Sequence, residues 1–530
     1  MDKTNPTDAK TSSQDLANQA EIPYLDVAKY VTNEQVSRQL PEKYARRFKA
    51  ILLAEKADYC LIGMTNPSDI FATDELYTVL KKPLKLAVVN EKDLQYKLDQ
   101  LYRRTEEITN FADKLAVELQ QSAEEVVSSD EEKTIKQAEP AVIKLLNSLF
   151  EDAIQVGASD IHIEPAENIL RIRLRVDGLL QEQIIPTADK QHITLAMAQR
   201  LKLMAGLNIA EKRLPQDGRF DIDMRNTKID IRMSTMPIQH GESIVMRLLY
   251  KSAKIISLDL DNVGMPQEML KSFRKLIKIP YGIILVTGPT GSGKTTTLYG
   301  ALTEINDVTK NIVTIEDPIE YVLERANQVQ VNSQIGLTFA RILRSILRQD
   351  PNIILVGEIR DQETAAIALR AALTGHLVFA TLHTNDAAST AIRLVDIGVE
   401  HYLVATTVRA IVAQRLARRI CTACATPYQP TEQENAFFTN FFGDLFKQSS
   451  FNYGAGCAYC NSTGSKGRIG VFELLVLDDK MREALRRKDT NEFVQIVAKN
   501  RTSPNLLTNA FEMARQKIIT LSEVMRIAGE

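Results

Sequence analysis

The sequence predicts an α/β protein of several domains. Three observations carry that expectation. The chain has 530 residues, enough for about three or four domains. From Gly282 to about Ile420, short apolar runs alternate with helical patterns, which implies parallel βαβ units. Ahead of that stretch, the period-two alternation of ILRIRLRV, RFDIDM and KIDIRMSTM predicts strands.

Composition sets the outer bounds. A hydrophobic fraction of 44% with 25% charged residues is that of a soluble globular protein and excludes a disordered, collagenous or fibrous chain. Lys+Arg is 65 against Asp+Glu 67, a net charge of -2, which calls for neither nucleic acid nor an anionic membrane. No apolar run approaches the roughly 18 residues of a membrane span, and the N-terminus has no apolar signal region. A cytosolic protein with peripheral membrane contact only is expected.

Taken in order, residues 1–21 are polar and read as a flexible tail. Residues 22–104 form a small α/β module. FKAILLAE, DYCLIGM and LKLAVV read as strands; SDIFATDELYTVL and EKDLQYKLDQLYRR read as helices. An acidic linker covers 105–139. A second domain, 140–250, opens with a helix after Pro140 whose Val142, Leu145, Leu146, Leu149 and Ala153 share one face. Its strands turn at Asp177-Gly178. In 251–420, IILVT, IVTI, NIILVG and LVFATL suit buried parallel strands. A Cys/Gly-rich segment at 421–470 and helices at 471–530 complete the chain.

The chemistry centres on Gly288, Pro289, Thr290, Gly291, Ser292, Gly293, Lys294 and Thr295, with Thr296 following. The spacing is that of a phosphate-binding loop, set between a predicted strand and a predicted helix. Glycines let backbone N–H groups turn inward around phosphates, and the helix N-terminus adds positive potential. Lys294 can reach the β/γ oxygens of ATP, and the Thr295 hydroxyl can ligate Mg²⁺. Three more predicted strands end in polar residues: Glu316-Asp317-Pro318-Ile319-Glu320, Glu358, and His383-Thr384-Asn385. Ligands of open parallel sheets bind outside the carboxyl ends of the strands, so four strand ends are expected to converge on one nucleotide. Arg341, Arg344 and Arg348 share a helix face opposite Ile342, Leu343 and Ile346. On spacing alone such a stripe is a solvated face or a γ-phosphate contact.

Cys421, Cys424, Cys457 and Cys460 form two CxxC pairs, suited to tetrahedral Zn²⁺ with four thiolates and no open position. Cys60 lies in an apolar run and reads as core. Local sequence alone makes neither His162 nor His376 catalytic.

These motifs together resemble the ATPases that drive type II secretion and type IV pilus assembly. GPTGSGKT resembles the Walker A of that family, TIEDPIE its aspartate box, ILVGEIRD its atypical Walker B and TGHLVFATLHTND its histidine box. ASDIHIEP, RVDG, RLPQDGR and GESIVMRLL resemble signatures of the preceding domain, and the four-Cys segment with GRIGVFELL the zinc subdomain of the assembly branch. The wording of PYLDV, LPEKYARRFKA and LDQLYRRTEEI looks most like pilus-assembly ATPases of the mannose-sensitive haemagglutinin type.

The resemblance implies a RecA-like P-loop ATPase core preceded by a PAS-like α/β domain, with a four-Cys zinc subdomain. It implies ATP, Mg²⁺ and Zn²⁺ as cofactors. Glu320 would polarise the attacking water, Glu358 would support metal or water, and His376 and His383 would couple nucleotide state to a domain interface. Arg232, Arg247, Arg344 and Arg348 match arginines placed around ATP. The partners implied are five further copies in a homo-hexamer, a polytopic platform protein at the inner membrane and cytoplasmic assembly proteins. Relatives of the haemagglutinin type often carry RLGxxL-type repeats that bind cyclic di-GMP. This chain has none before Ile22, which speaks against that regulation. Three other readings compete. A retraction motor would be shorter and lack the four-Cys insertion. A zinc-stabilised nucleic-acid binder would use the RKLIKIP and RLARRIC basics. A nucleotide-binding scaffold would bind ATP without turnover.

Overall fold

A computed structural model of the chain describes residues 17–18, 22–27, 30, 34–101, 139–167, 169–185, 190–224, 227–250, 259–500 and 503–529. The expected tail and the expected acidic linker fall almost wholly outside these residues. The chain forms two compact units, one holding 1–250 and one holding most of 251–530.

The N-terminal unit begins with a three-stranded sheet of β1 (Ala50–Glu55), β2 (Cys60–Met64) and β3 (Leu84–Val88), in that order. β1–β2 is antiparallel and β2–β3 parallel. The helix Ile70–Leu80 makes the parallel crossover, and the Asp69 carboxylate caps it by accepting from Ala72 N at 3.0 Å. Cys60 is buried in this core, as expected.

A six-stranded antiparallel sheet follows. It uses β4 (Asp160–Pro165), β5 (Leu170–Val176), β6 (Leu179–Ile185), β7 (Gln216–Met224), β8 (Thr227–Ile238) and β9 (Gly241–Tyr250), in the order β6-β5-β4-β9-β8-β7. Asp177 and Gly178, both at positive φ, make the β5–β6 turn. Alternation works as predicted: Leu170, Ile172 and Leu174 are buried, while Arg171, Arg173 and Arg175 face outward. The helix Glu139–Val156 lays Val142, Leu145, Leu146, Leu149 and Ala153 into the same core.

The C-terminal unit is built on a seven-stranded sheet. Its strands are β10 (Gly282–Thr287), β11 (Ile312–Glu316), β12 (Ala326–Gln330), β13 (Ile353–Val356), β14 (Leu377–Leu382), β15 (Val408–Ile420) and, beyond the two-stranded ribbon of β16 (Ala425–Tyr428) and β17 (Phe451–Gly454), β18 (Ser465–Val476). The order is β12-β11-β13-β14-β10-β15-β18. The sheet is parallel except for β18, which runs antiparallel to β15. β10 and β14 are buried along their whole length, as strands covered on both faces must be.

The polar edge strand β12, the 13-residue β15 and the return strand β18 have no counterpart among the predicted strands. The expected limit at residue 470 falls inside β18. Four helices end the chain, and Glu523 of the last one, 2% exposed, takes both the backbone N–H and the guanidinium of Arg418.

Candidate functional site

The phosphate loop joins β10 to the helix Lys294–Ile305, the strand–loop–helix order its motif requires. Its shape is set from beneath by β15. A Cβ on Gly288 would sit 2.3 Å from Gln414 O, at a φ of +149° that disfavours any other residue. The Gln414 side chain accepts from Thr297 Oγ1 at 2.9 Å, tying β15 to the helix behind the loop.

Lys294 is buried, and its ammonium donates to Gly288 O at 2.7 Å and Pro289 O at 3.0 Å. Burial pulls its pKa down to about 8; the carboxylates of Glu358 and Glu320 oppose that, and the nearby Arg415 adds to it. Ser292 Oγ, in a residue 3% exposed, has no hydrogen-bond partner among the described residues. A buried hydroxyl without a partner, next to a desolvated ammonium at a helix N-terminus, fits an anion such as a phosphate chain. The half-buried Thr295 stands in the first turn, where the motif places a Mg²⁺ ligand.

The neighbouring strands deliver acids to the same end of the sheet. Gly357 N donates to Ile315 O at 2.7 Å, and a Cβ there would lie 2.9 Å from that oxygen. Only glycine lets β13 run so close to β11, which explains the residue before Glu358. Glu358 accepts from the Arg360 guanidinium and lies 3.7 Å from His383 Nε2. Burial and the Lys294 charge hold His383 below its ordinary pKa, although Glu358 pulls the other way. Thr384 N donates to Thr287 Oγ1 at 3.0 Å, so the loop after β14 is fastened to the base of the phosphate loop.

Glu358 and His383 therefore meet, and Lys294 is close enough for the charges of Glu358 and Glu320 to act on it. Glu316 does not join them. It turns inward, 4% exposed, to the hydroxyl of Tyr299 and to Thr314 Oγ1 at 2.6 Å. Of the acids in EDPIE, Glu316 is thus a residue of the core, because successive residues of a strand face opposite ways.

His376 is also elsewhere within this chain. It precedes β14, while the phosphate loop follows β10; with Gly282 paired to Leu377 and Thr287 to Leu382, six residues at about 3.3 Å each put it roughly 20 Å away. Arg348 lies past the helix Phe339–Ile346, next to Gln349 and Asp350, whose carbonyls accept from Asn311 just ahead of β11, at the same far end of the strands. Arg344, on the exposed face of that helix, pairs with Glu363.

Arg232 and Arg247 belong to the antiparallel sheet of the other unit. They are directly paired in a ladder row that reads Arg219, Arg232, Arg247, Asp160, Arg175. Arg247 Nε lies 2.9 Å from Asp160 Oδ1.

The sequence reading missed Gln414 and Arg415. Arg415 is 2% exposed and donates to Asn385 O at 2.9 Å, under the histidine-box loop. It and Arg418 are thus committed within the fold, which removes two basics from the nucleic-acid reading.

Cys421, Cys424, Cys457 and Cys460 come together with all four sulfurs within 4.8 Å of one another. Cys457 Sγ and Cys460 Sγ are 3.8 Å apart. Tetrahedral Zn–S bonds of about 2.3 Å require S···S of ~3.8 Å, so the cluster fits zinc. Cys457 N and Gly464 N donate to Cys460 Sγ at 3.3 and 3.2 Å, which favours the thiolate.

Comparison with known proteins places the chain in a family. Residues 136–526 match the family described as type II/IV secretion system protein, and residues 20–108 match the MshEN domain. The chain is 42% identical to the type II secretion system ATPase E of Vibrio cholerae, over 94% of this chain and 98% of that one. It is 38% identical to the type IV pilus assembly ATPase PilB of Myxococcus xanthus, over 91% and 84%. The ATPase DotB of Legionella pneumophila shares the fold, with a TM-score of 0.53 at 23% identity over 73% of this chain and 95% of that one. Family match and site geometry together lead to one conclusion: the chain belongs to the type II/IV secretion system protein family.

Proposed function

We propose that the protein is a Mg²⁺-dependent ATPase that works as a hexameric motor on the cytoplasmic face of the inner membrane, driving assembly of a type IV pilus or a type II secretion pseudopilus. The observation that carries the reading is the buried Lys294 of the phosphate loop, on which the carboxylates of Glu358 after β13 and Glu320 after β11 both act by charge. Lys294 takes the β/γ oxygens, Thr295 offers its hydroxyl to Mg²⁺, Glu358 supports metal or water, and Glu320 orients the attacking water. The division into a 22–104 module, a 140–250 PAS-like domain, a 251–420 core and a 421–470 zinc subdomain belongs to the same proposal. So do contact with a membrane platform protein and a structural Zn²⁺ on the four cysteines. No described helix is long and apolar enough to cross a membrane, consistent with peripheral attachment.

Two substitutions test the active site. Lys294→Ala deletes a charged donor and is expected to weaken ATP binding by roughly 10- to 100-fold. Glu320→Gln keeps shape but loses the anion, so turnover is expected to fall about 100-fold with ATP affinity retained. Parent-rate hydrolysis by Glu320→Gln with full affinity would remove the role given to Glu320.

A further inference from the structure

Behind the phosphate loop lies a polar network built between the helix Lys294–Ile305, β11 and β12. Tyr299, fully buried on the helix Lys294–Ile305, donates its hydroxyl to Glu316 at the end of β11. Gln328 of edge strand β12 donates through Nε2 to Glu316 Oε1 at 3.1 Å and Tyr321 O at 2.9 Å. Its Oε1 accepts from Leu323 N at 2.7 Å. The Tyr321 ring packs edge-on against Tyr299, centroids 6.0 Å apart. The bonds to Tyr321 O and Leu323 N hold the loop after β11, the Tyr299 hydroxyl ties the helix behind the phosphate loop to β11, and the Gln328–Glu316 bond ties β12 to β11. Tyr321, bonded to Gln328 and packed on Tyr299, directly follows Glu320.

A carboxylate, a phenol and an amide inside a core are worth keeping only when fully satisfied; an apolar trio would pack as well. What an apolar trio could not do is grip backbone atoms of a loop without regular structure. We infer that Tyr299, Glu316 and Gln328 are positioning residues that hold the 317–323 loop, and with it Glu320, in register with the phosphate loop. The inference rests on the role proposed above for Glu320. It makes a residue of the phosphate-loop helix and a residue of a distant edge strand determinants of turnover, although neither touches ATP.

Tyr299→Phe removes one hydroxyl and leaves the ring; Gln328→Leu removes the backbone grip. Misplacing a catalytic group by about 1 Å can cost roughly 100-fold. Each variant is therefore expected to lower kcat by about 10- to 100-fold, with KM and affinity for a fluorescent ATP analogue within about twofold of the parent. The double variant should be little worse than the weaker single, because both act through one network. Hydrogen–deuterium exchange of the full chain should show faster exchange over 321–323 in Gln328→Leu. Parent kcat in both variants, unchanged exchange over 321–323, or kcat and ATP affinity falling together would each overturn the inference. A parent protein with no turnover would instead sink the ATPase reading, and the exchange experiment would then decide the loop's anchoring by itself.

Discussion

Lys294 is a cation that the fold keeps close to losing its proton. Its pKa of about 8 in the folded chain compares with an ordinary 10.5. Between those values the unfolded chain binds more protons than the folded one, so stability without nucleotide is expected to rise as pH goes from 8 toward 10.5. Nucleotide affinity should move the opposite way. Phosphate favours the ammonium, so above pH 8 binding must take up a proton. ATP affinity is expected to be level below pH 8 and to fall by up to about tenfold per pH unit above it. Titration of a fluorescent ATP analogue across pH measures this. A flat profile up to pH 10 would contradict the buried ammonium. The lysine itself was legible in the sequence because a phosphate loop is written in eight consecutive residues. Glu316 was not: nothing in EDPIE says which acid turns into the sheet, since that depends on strand direction and on a tyrosine seventeen residues earlier. Gln414 and Arg415 were invisible for a stronger reason. Their place under the loop comes from the β10–β15 register, which joins residues more than a hundred positions apart.

Among the elements, the helices and buried strands followed their patterns closely, and the failures share a cause. β12 reads ANQVQ, too polar for a core strand, because it is the sheet's edge. β15 reads VRAIVAQRLARRI, whose basics suggested a binding patch; in the sheet Arg415 is enclosed and Arg418 is neutralised by Glu523. The four cysteines, two CxxC pairs in the sequence, came together as expected. Purified protein is expected to carry about one Zn²⁺ per chain. Cys457→Ser should lose the metal and loosen residues 421–464, because binding there is also folding energy. Metal analysis with thiol alkylation checks both. Absence of zinc, with Cys421 and Cys460 alkylated in native protein, would refute the site.

For the whole molecule, the residues that fall outside the phosphate site are the informative ones. Arg348 and His376 sit at the ends of the strands opposite Lys294. Arg232 and Arg247 are carried by the other unit. If Arg232, Arg247 and Arg348 act on ATP, as the family resemblance implies, Arg348 must serve a nucleotide held by another copy, while the other two depend on how units or copies meet. Turnover per chain is therefore expected to rise with protein concentration as rings form, and Arg232→Ala or Arg247→Ala should lower the rate of the assembled ring about tenfold or more. Sedimentation run alongside turnover tests this. A monomer with full activity at every concentration, indifferent to those changes, would leave an ATPase without a motor.

One detail of the large sheet bears on how such a protein can vary. Ile420 at the end of β15 pairs with Ser465 at the start of β18. The cysteine-bearing excursion thus leaves and re-enters the sheet at adjacent points, with its base already clamped. Once ends are clamped, doubling the length between them adds only about 0.6 kcal/mol of closure entropy. The excursion is in effect a cassette. Outside the cysteines and the buried Phe438, Phe446 and Phe451, residues can be added, lost or exchanged within it while β10, and the phosphate loop at its tip, keep the same neighbour.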